Sequence, residues 1–270
     1  MMADHKRNSV AAGYTRKFFE GPDTALSYID FGGGGFPLLA LHGHMNEGLF
    51  AQELAGALAG EYRVIALDQR GHGESERPVS YDNERYVDDA LAVLDHLGID
   101  ETVLLGHSLG GVVAYRLAAR RPERVRALII EDIGAVVNDD LSFAGQWPRR
   151  APTKAALIAA LGRLGPVFAY SMREYENGWG LPFIPEDMAV SQSHLNGEHW
   201  DDWLATDCPA LLLHGMRSTC LSYEQAEEMA ARRPNTKLVH LEAGHSIHFE
   251  APDQFLEVIQ SFMKSIRTEQ

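Results

Sequence analysis

The chain has 270 residues, a formal charge of −14 and a pI near 5.2, which argues against nucleic acid or an anionic membrane surface as partner. Hydrophobic residues make up 45% and charged residues 23%, the balance of a soluble globular protein. No apolar run approaches the roughly 18 residues of a membrane span.

The opening MMADHKRNSV is polar and has no apolar stretch, so no secretory signal is expected. Short apolar runs predict strands at Ala25–Phe31, Pro37–Leu41 and Arg63–Leu67. The second runs into His42-Gly43-His44-Met45, and the third into Asp68-Gln69-Arg70-Gly71-His72-Gly73-Glu74-Ser75. A fourth strand, Thr102–Leu105, leads into Gly106-His107-Ser108-Leu109-Gly110-Gly111 and then a helix, Val112–Arg120. A serine held between glycines on a strand–turn–helix junction sits on a strained turn. Only small neighbours let strand and helix approach that closely. Ser108 is therefore the candidate nucleophile.

A fifth strand, Val125–Ile130, ends in Glu131-Asp132. The alternation of strand and helix then breaks between residues 135 and 206, where helical pieces occur without a convincing strand. That stretch holds all four tryptophans, Trp147, Trp179, Trp200 and Trp203. It reads as a helical cap inserted into a sheet domain made of residues 1–134 and 207–270. Trp147, Trp179 and Trp203 are the candidates for lining an apolar substrate pocket. Strands resume at Ala210–Leu213 and Lys237–Leu241. The second ends in Gly244-His245-Ser246-Ile247-His248, ahead of an amphipathic helix from Pro252 to about Arg267. Continuous rather than alternating apolar runs suit strands buried on both faces of a parallel sheet. The expected fold is thus α/β, with a mostly parallel central sheet and helices on both faces.

Cys208 and Cys220 bracket a strand about six residues long, about 20 Å apart and beyond disulfide reach. Two free thiols fit a cytoplasmic location. No His/Cys cluster has metal-ligand spacing, and neither a metal nor another cofactor is expected.

The motif around Ser108, in its strand–turn–helix context, resembles the nucleophile elbow of the α/β-hydrolase superfamily. The resemblance covers residues 20–267 outside the cap. It implies that His42–Met45 is the loop supplying one oxyanion-hole amide, so that the donors are the backbone N–H groups of His44 and Leu109. The Asp68–Ser75 segment resembles the family's D-x-R-G-x-G-x-S turn, which braces a loop. His245 matches the catalytic histidine of a G-H-x-x-x-x-E-x-P segment, with His248 packed behind it.

The acid departs from the pattern. Most members carry it just after the strand equivalent to Ala210–Leu213, but His214–Ser222 contains no carboxylate. Some relatives, including haloalkane dehalogenases and certain amidohydrolases, place it after the strand equivalent to Val125–Ile130. Asp132 lies 24 residues beyond Ser108 at that site, with Glu131 as the alternative. The activity implied is hydrolysis of a small, partly apolar carboxylic ester or lactone, with a small molecule as the only partner. Amide or C–C bond hydrolysis remains open, as does a ligand-binding protein on a retired hydrolase scaffold. Oligomeric state is left open.

Overall fold

The computed structural model describes Tyr14 and residues 16–268, so the expectation about a secretory signal lies outside the described residues. The first half of the chain supplies six strands: β1 (Arg16–Glu20), β2 (Ala25–Asp30), β3 (Phe36–Leu41), β4 (Tyr62–Asp68), β5 (Thr102–His107) and β6 (Val125–Glu131). Between them run helices α1 (Gln52–Ala57), α2 (Asn83–His96) and α3 (Leu109–Arg120). The last part adds β11 (Ala210–Gly215), α8 (Tyr223–Arg232), β12 (Thr236–Leu241), a single turn α9 (Ile247–Glu250) and α10 (Pro252–Thr268). These strands form one eight-stranded sheet in the order β1-β2-β4-β3-β5-β6-β11-β12. Its first two pairings are antiparallel and the remainder parallel.

The period of two explains why the buried strands read as unbroken apolar runs. Leu39, Leu41, Ile65, Leu67, Leu104, Leu128, Ile130 and Leu212 enter the cluster beneath α2 and α3. Their chain neighbours Leu38, Ala40, Val64, Ala66, Val103, Leu105, Ala127 and Leu211 enter the opposite cluster. Each fully buried aliphatic side chain adds about 1.5–3 kcal/mol, so both faces contribute to holding the sheet. Helix α10 closes the second face with Phe255, Ile259, Phe262, Met263 and Ile266. The edge strand β1 was not expected from sequence, because only Phe19 of its five residues is buried.

Between β6 and β11 the chain leaves the sheet. This segment holds α4 (Lys154–Ala160), α5 (Gly165–Phe168), α6 (Pro185–Leu195) and α7 (Trp200–Leu204). It is not purely helical as expected. Strands β7 (Val136–Val137) and β10 (Gly197–Glu198) pair where the segment leaves and rejoins the core. Strands β8 (Arg173–Tyr175) and β9 (Gly178–Gly180) form a second small hairpin. The segment has its own apolar cluster, including Leu157, Phe168, Phe183 and Met188, seated on Met45. Polar ties run from it to the core: Arg77 to Asp187 at 2.6 Å, Tyr81 to Asp187 at 2.8 Å, and Arg173 to Glu47. No helix among the described residues is long and apolar enough to cross a membrane.

Candidate active site

Parallel strands deliver their C-terminal ends to one edge of the sheet, where ligands of such sheets bind. Ser108 follows β5, Asp132 follows the adjacent β6, and His245 follows β12. The elbow around Ser108 is tight. A Cβ on Gly106 would meet the Gly110 carbonyl oxygen at 2.2 Å, and one on Gly110 would meet that of Leu41 at 2.1 Å. Glycine at both positions lets β5, α3 and the end of β3 converge.

Three non-glycine residues among those described have left-handed backbone: Met45 (φ 63°), Ser108 (φ 53°) and Asp132 (φ 52°). Such conformations cost of order 1–3 kcal/mol each, and their clustering here marks a site rather than a packing accident.

The Asp132 carboxylate is fully buried and fully engaged. Its Oδ1 accepts from the Gly215 N–H at 2.8 Å. Its Oδ2 accepts from the Ser218 hydroxyl and from His245 Nδ1 at 2.8 Å. The β11 loop, where most of the superfamily keeps the acid, here supplies donors to an acid from the next strand. Burial opposes charge on the His245 ring, but its hydrogen bond to Asp132 and the adjacent Cys220 thiol outweigh this and raise its pKa. Glu131, the alternative acid, faces a different ring: its Oε1 accepts from His248 Nδ1 and from the His248 N–H, both at 2.9 Å.

Leu109 is the first residue of α3, so its N–H has no acceptor within the helix. The other expected donor lies on the loop after β3, which touches the elbow. A Cβ on Gly43 would sit 3.0 Å from the Ser108 Cβ. The side chains of this loop are structural. His42 Nε2 accepts from the Gln69 N–H at 3.0 Å, and His44 Nε2 bonds Ser191 Oγ at 2.8 Å. Desolvation takes the His42 pKa down to about 3 and His44 well below its ordinary value. Asp68 braces the following turn by accepting from the Glu74 N–H at 3.1 Å, and it also accepts from Gly48 N–H, Ser27 Oγ and Arg16 Nε at 2.7, 2.6 and 2.7 Å. Arg70 is buried and bidentate on Asp89, at 2.7 and 2.8 Å.

Ser108 opens on a small cavity of about 30 Å³, lined also by Ile133, Val137, Asn138, Asp139, Gln192, Thr219 and Cys220. This lining is largely polar and contains none of the three tryptophans expected there. Trp203 is fully buried in the main core, its Nε1–H donating to the Met229 carbonyl at 3.0 Å and its ring packed edge-on against Tyr115. It cannot line a pocket, because α7 turns that face toward α3 and α8. Trp147 and Trp179 are partly buried against the apolar cluster of the inserted segment.

Two features escaped the sequence. Cys220 was noted only for disulfide reach, yet it shares the cavity with Ser108; both cysteines are free. His107, Glu131 and His248 bring one ligand atom each within 4.8 Å of one another, a cluster that could in principle hold a metal. They lie on three separate segments, so no spacing announces them. His107 Nε2 bonds the His245 carbonyl at 3.0 Å and His248 Nδ1 bonds Glu131, while His107 Nδ1 is buried without a hydrogen-bond partner.

The chain matches the Alpha/beta hydrolase family over residues 38–258. It is 29% identical over 259 residues to 2-hydroxymuconate semialdehyde hydrolase of Pseudomonas putida, covering 86% of this chain and 88% of that one. It is 26% identical over 261 residues to 3-oxoadipate enol-lactonase 2 of Acinetobacter baylyi, covering 90% and 94%. Its structure resembles that of E-2-(acetamidomethylene)succinate hydrolase with a TM-score of 0.84 at 22% identity, over 93% of this chain and 99% of that one. The chain belongs to the alpha/beta hydrolase family.

Proposed function

We propose that the protein is a serine hydrolase that cleaves a small carboxylic ester or lactone through an acyl-enzyme on Ser108. The observation that carries this is the 2.8 Å hydrogen bond from His245 Nδ1 to the buried Asp132, beside a serine on a strained elbow. Asp132 accepting at Nδ1 leaves Nε2 as the ring's basic nitrogen, able to take the Ser108 proton as Oγ attacks the carbonyl. The imidazolium so formed is stabilised by Asp132. The amides of His44 and Leu109 stabilise the tetrahedral oxyanion. His245 then passes its proton to the leaving oxygen, and water repeats the sequence in reverse to free the acid.

Residues 135–206 act as a cap between the two core parts, 1–134 and 207–270. The ion pairs that tie the segment to the core support this. A polar cavity of about 30 Å³ has room for only a water or two. Its size and lining support a short acyl group.

A second reading, C–C bond hydrolysis, is favoured by the 29% identity to 2-hydroxymuconate semialdehyde hydrolase. A panel of p-nitrophenyl esters, lactones, amides and a vinylogous diketone separates the two, with Ser108→Ala as control. Ester or lactone turnover leads the panel, and Ser108→Ala lowers kcat by about 10⁴-fold or more with the fold intact. A variant that keeps most of its activity contradicts the assignment of the nucleophile.

A further inference from the structure

Three titratable groups beside the triad take no part in the mechanism above: the buried His107 and Glu131 and the partly buried His248. Each is a near neighbour in sequence of a triad member. His107 precedes Ser108, Glu131 precedes Asp132, and His248 follows His245 by one helical turn. His107 and Glu131 close β5 and β6 in register with each other, so they lie side by side on one face of the sheet.

Their contacts converge on the histidine loop. Glu131 is fully buried, and its Oε1 accepts both the backbone N–H and the Nδ1–H of His248 at 2.9 Å. The His107 Nε2–H donates to the carbonyl oxygen of His245 at 3.0 Å. The His107 ring centroid is 4.7 Å from that of His245 and 5.0 Å from that of His248. Burial favours a neutral Glu131, but the two histidines outweigh it and hold its pKa below the ordinary carboxylate value. His245 itself lies in a loop between β12 and α9, so no regular backbone ladder fixes its place.

We propose that Glu131, through His248 and assisted by His107, positions His245 for proton transfer, which rests on the triad reading above. A base misplaced by 1 Å costs about 10²-fold in rate, whereas substrate binding does not depend on the placement of that ring. Without Glu131, two donors of His248 lose their acceptor, and the loop carrying His245 is free to shift.

The test compares Glu131→Ala and Glu131→Gln, the latter keeping an Oε1 that can accept both bonds. Glu131→Ala is expected to lower kcat by about 10²-fold with KM within about twofold, and to slow fluorophosphonate labelling of Ser108 in parallel. Glu131→Gln is expected to stay within about tenfold of the native kcat. The downfield NMR signal of the proton between His245 and Asp132 reports the same positioning without turnover. It is expected in the native protein and in Glu131→Gln, and is lost or broadened in Glu131→Ala. Should Glu131→Ala fail to fold, His248→Ala replaces it, with the same fall in kcat at constant KM and the same change in that signal.

A folded Glu131→Ala or His248→Ala protein with native kcat and an unchanged downfield signal overturns the proposal. So does a loss of kcat that Glu131→Gln fails to restore while the downfield signal persists. If native protein is not labelled at Ser108, the serine-hydrolase reading fails instead, and the NMR comparison still decides the positioning.

Discussion

His245 carries a ring whose protonated form is favoured by Asp132 and Cys220 against the cost of burial. Only its neutral form can accept the Ser108 proton, so raising the pKa moves the active form to higher pH. The ascending limb of kcat/KM is therefore expected to lie above pH 6.5, the ordinary value for imidazole. Cys220→Ala, which removes one source of the shift, is expected to move that limb down. A profile already flat by pH 6 would contradict this account of the ring's surroundings. Ser108 and His245 stand out in the sequence because each sits in a short local motif. The Asp132–His245 contact was legible only by counting positions from the nucleophile. What confers it physically is the sheet order: β6 lies beside β11, whose last residue donates the Gly215 N–H, and the loop after it the Ser218 hydroxyl, to the carboxylate.

At the scale of elements, strands buried on both faces were found to within a residue or two at most ends, because an unbroken apolar run is their signature. β1 was missed because a half-exposed edge strand carries no such run. The two- and three-residue strands of the inserted segment are too short for any period to show. The aromatic residues there misled for a related reason: composition says that an aromatic ring wants burial, not which side of its helix is covered. α7 covers Trp203 with α3 and α8, and leaves Trp200 beneath the Arg232 guanidinium, 3.8 Å from the ring centroid. Trp203→Ala is thus expected to cost about 3–5 kcal/mol, lowering Tm by roughly 10 °C, with KM unchanged in the folded protein. A tenfold change in KM at native Tm, measured by calorimetry beside steady-state kinetics, would return Trp203 to the pocket.

For the whole molecule, the acidic composition is matched by an interior rich in neutral histidine. Burial lowers His42 and His107 to about 3 and His72 to about 4. Below pH 6.5 the unfolded chain takes up protons that these folded rings refuse, so stability falls as pH drops toward 4. Each ring contributes up to about 1.4 kcal/mol per pH unit. His44, also lowered by burial, adds to this, while Glu47 and Asp89, raised by burial to about 7 and about 6, work in the opposite direction. The denaturant midpoint is expected to decline steadily from pH 7 to pH 5; an unchanged midpoint would mean that the rings accept protons in place. The same compactness brings β5, β6 and β12 to one edge, and the central claim is that their three ends form one working unit. Mass spectrometry of fluorophosphonate-treated protein tests this most directly, timing the adduct on Ser108 in native protein and in Asp132→Asn. Native protein is expected to be labelled at Ser108 alone, and Asp132→Asn to be labelled about 10³–10⁴-fold more slowly, since the wrong tautomer of His245 is then held. Labelling of both at the same rate, or on another residue, would contradict it.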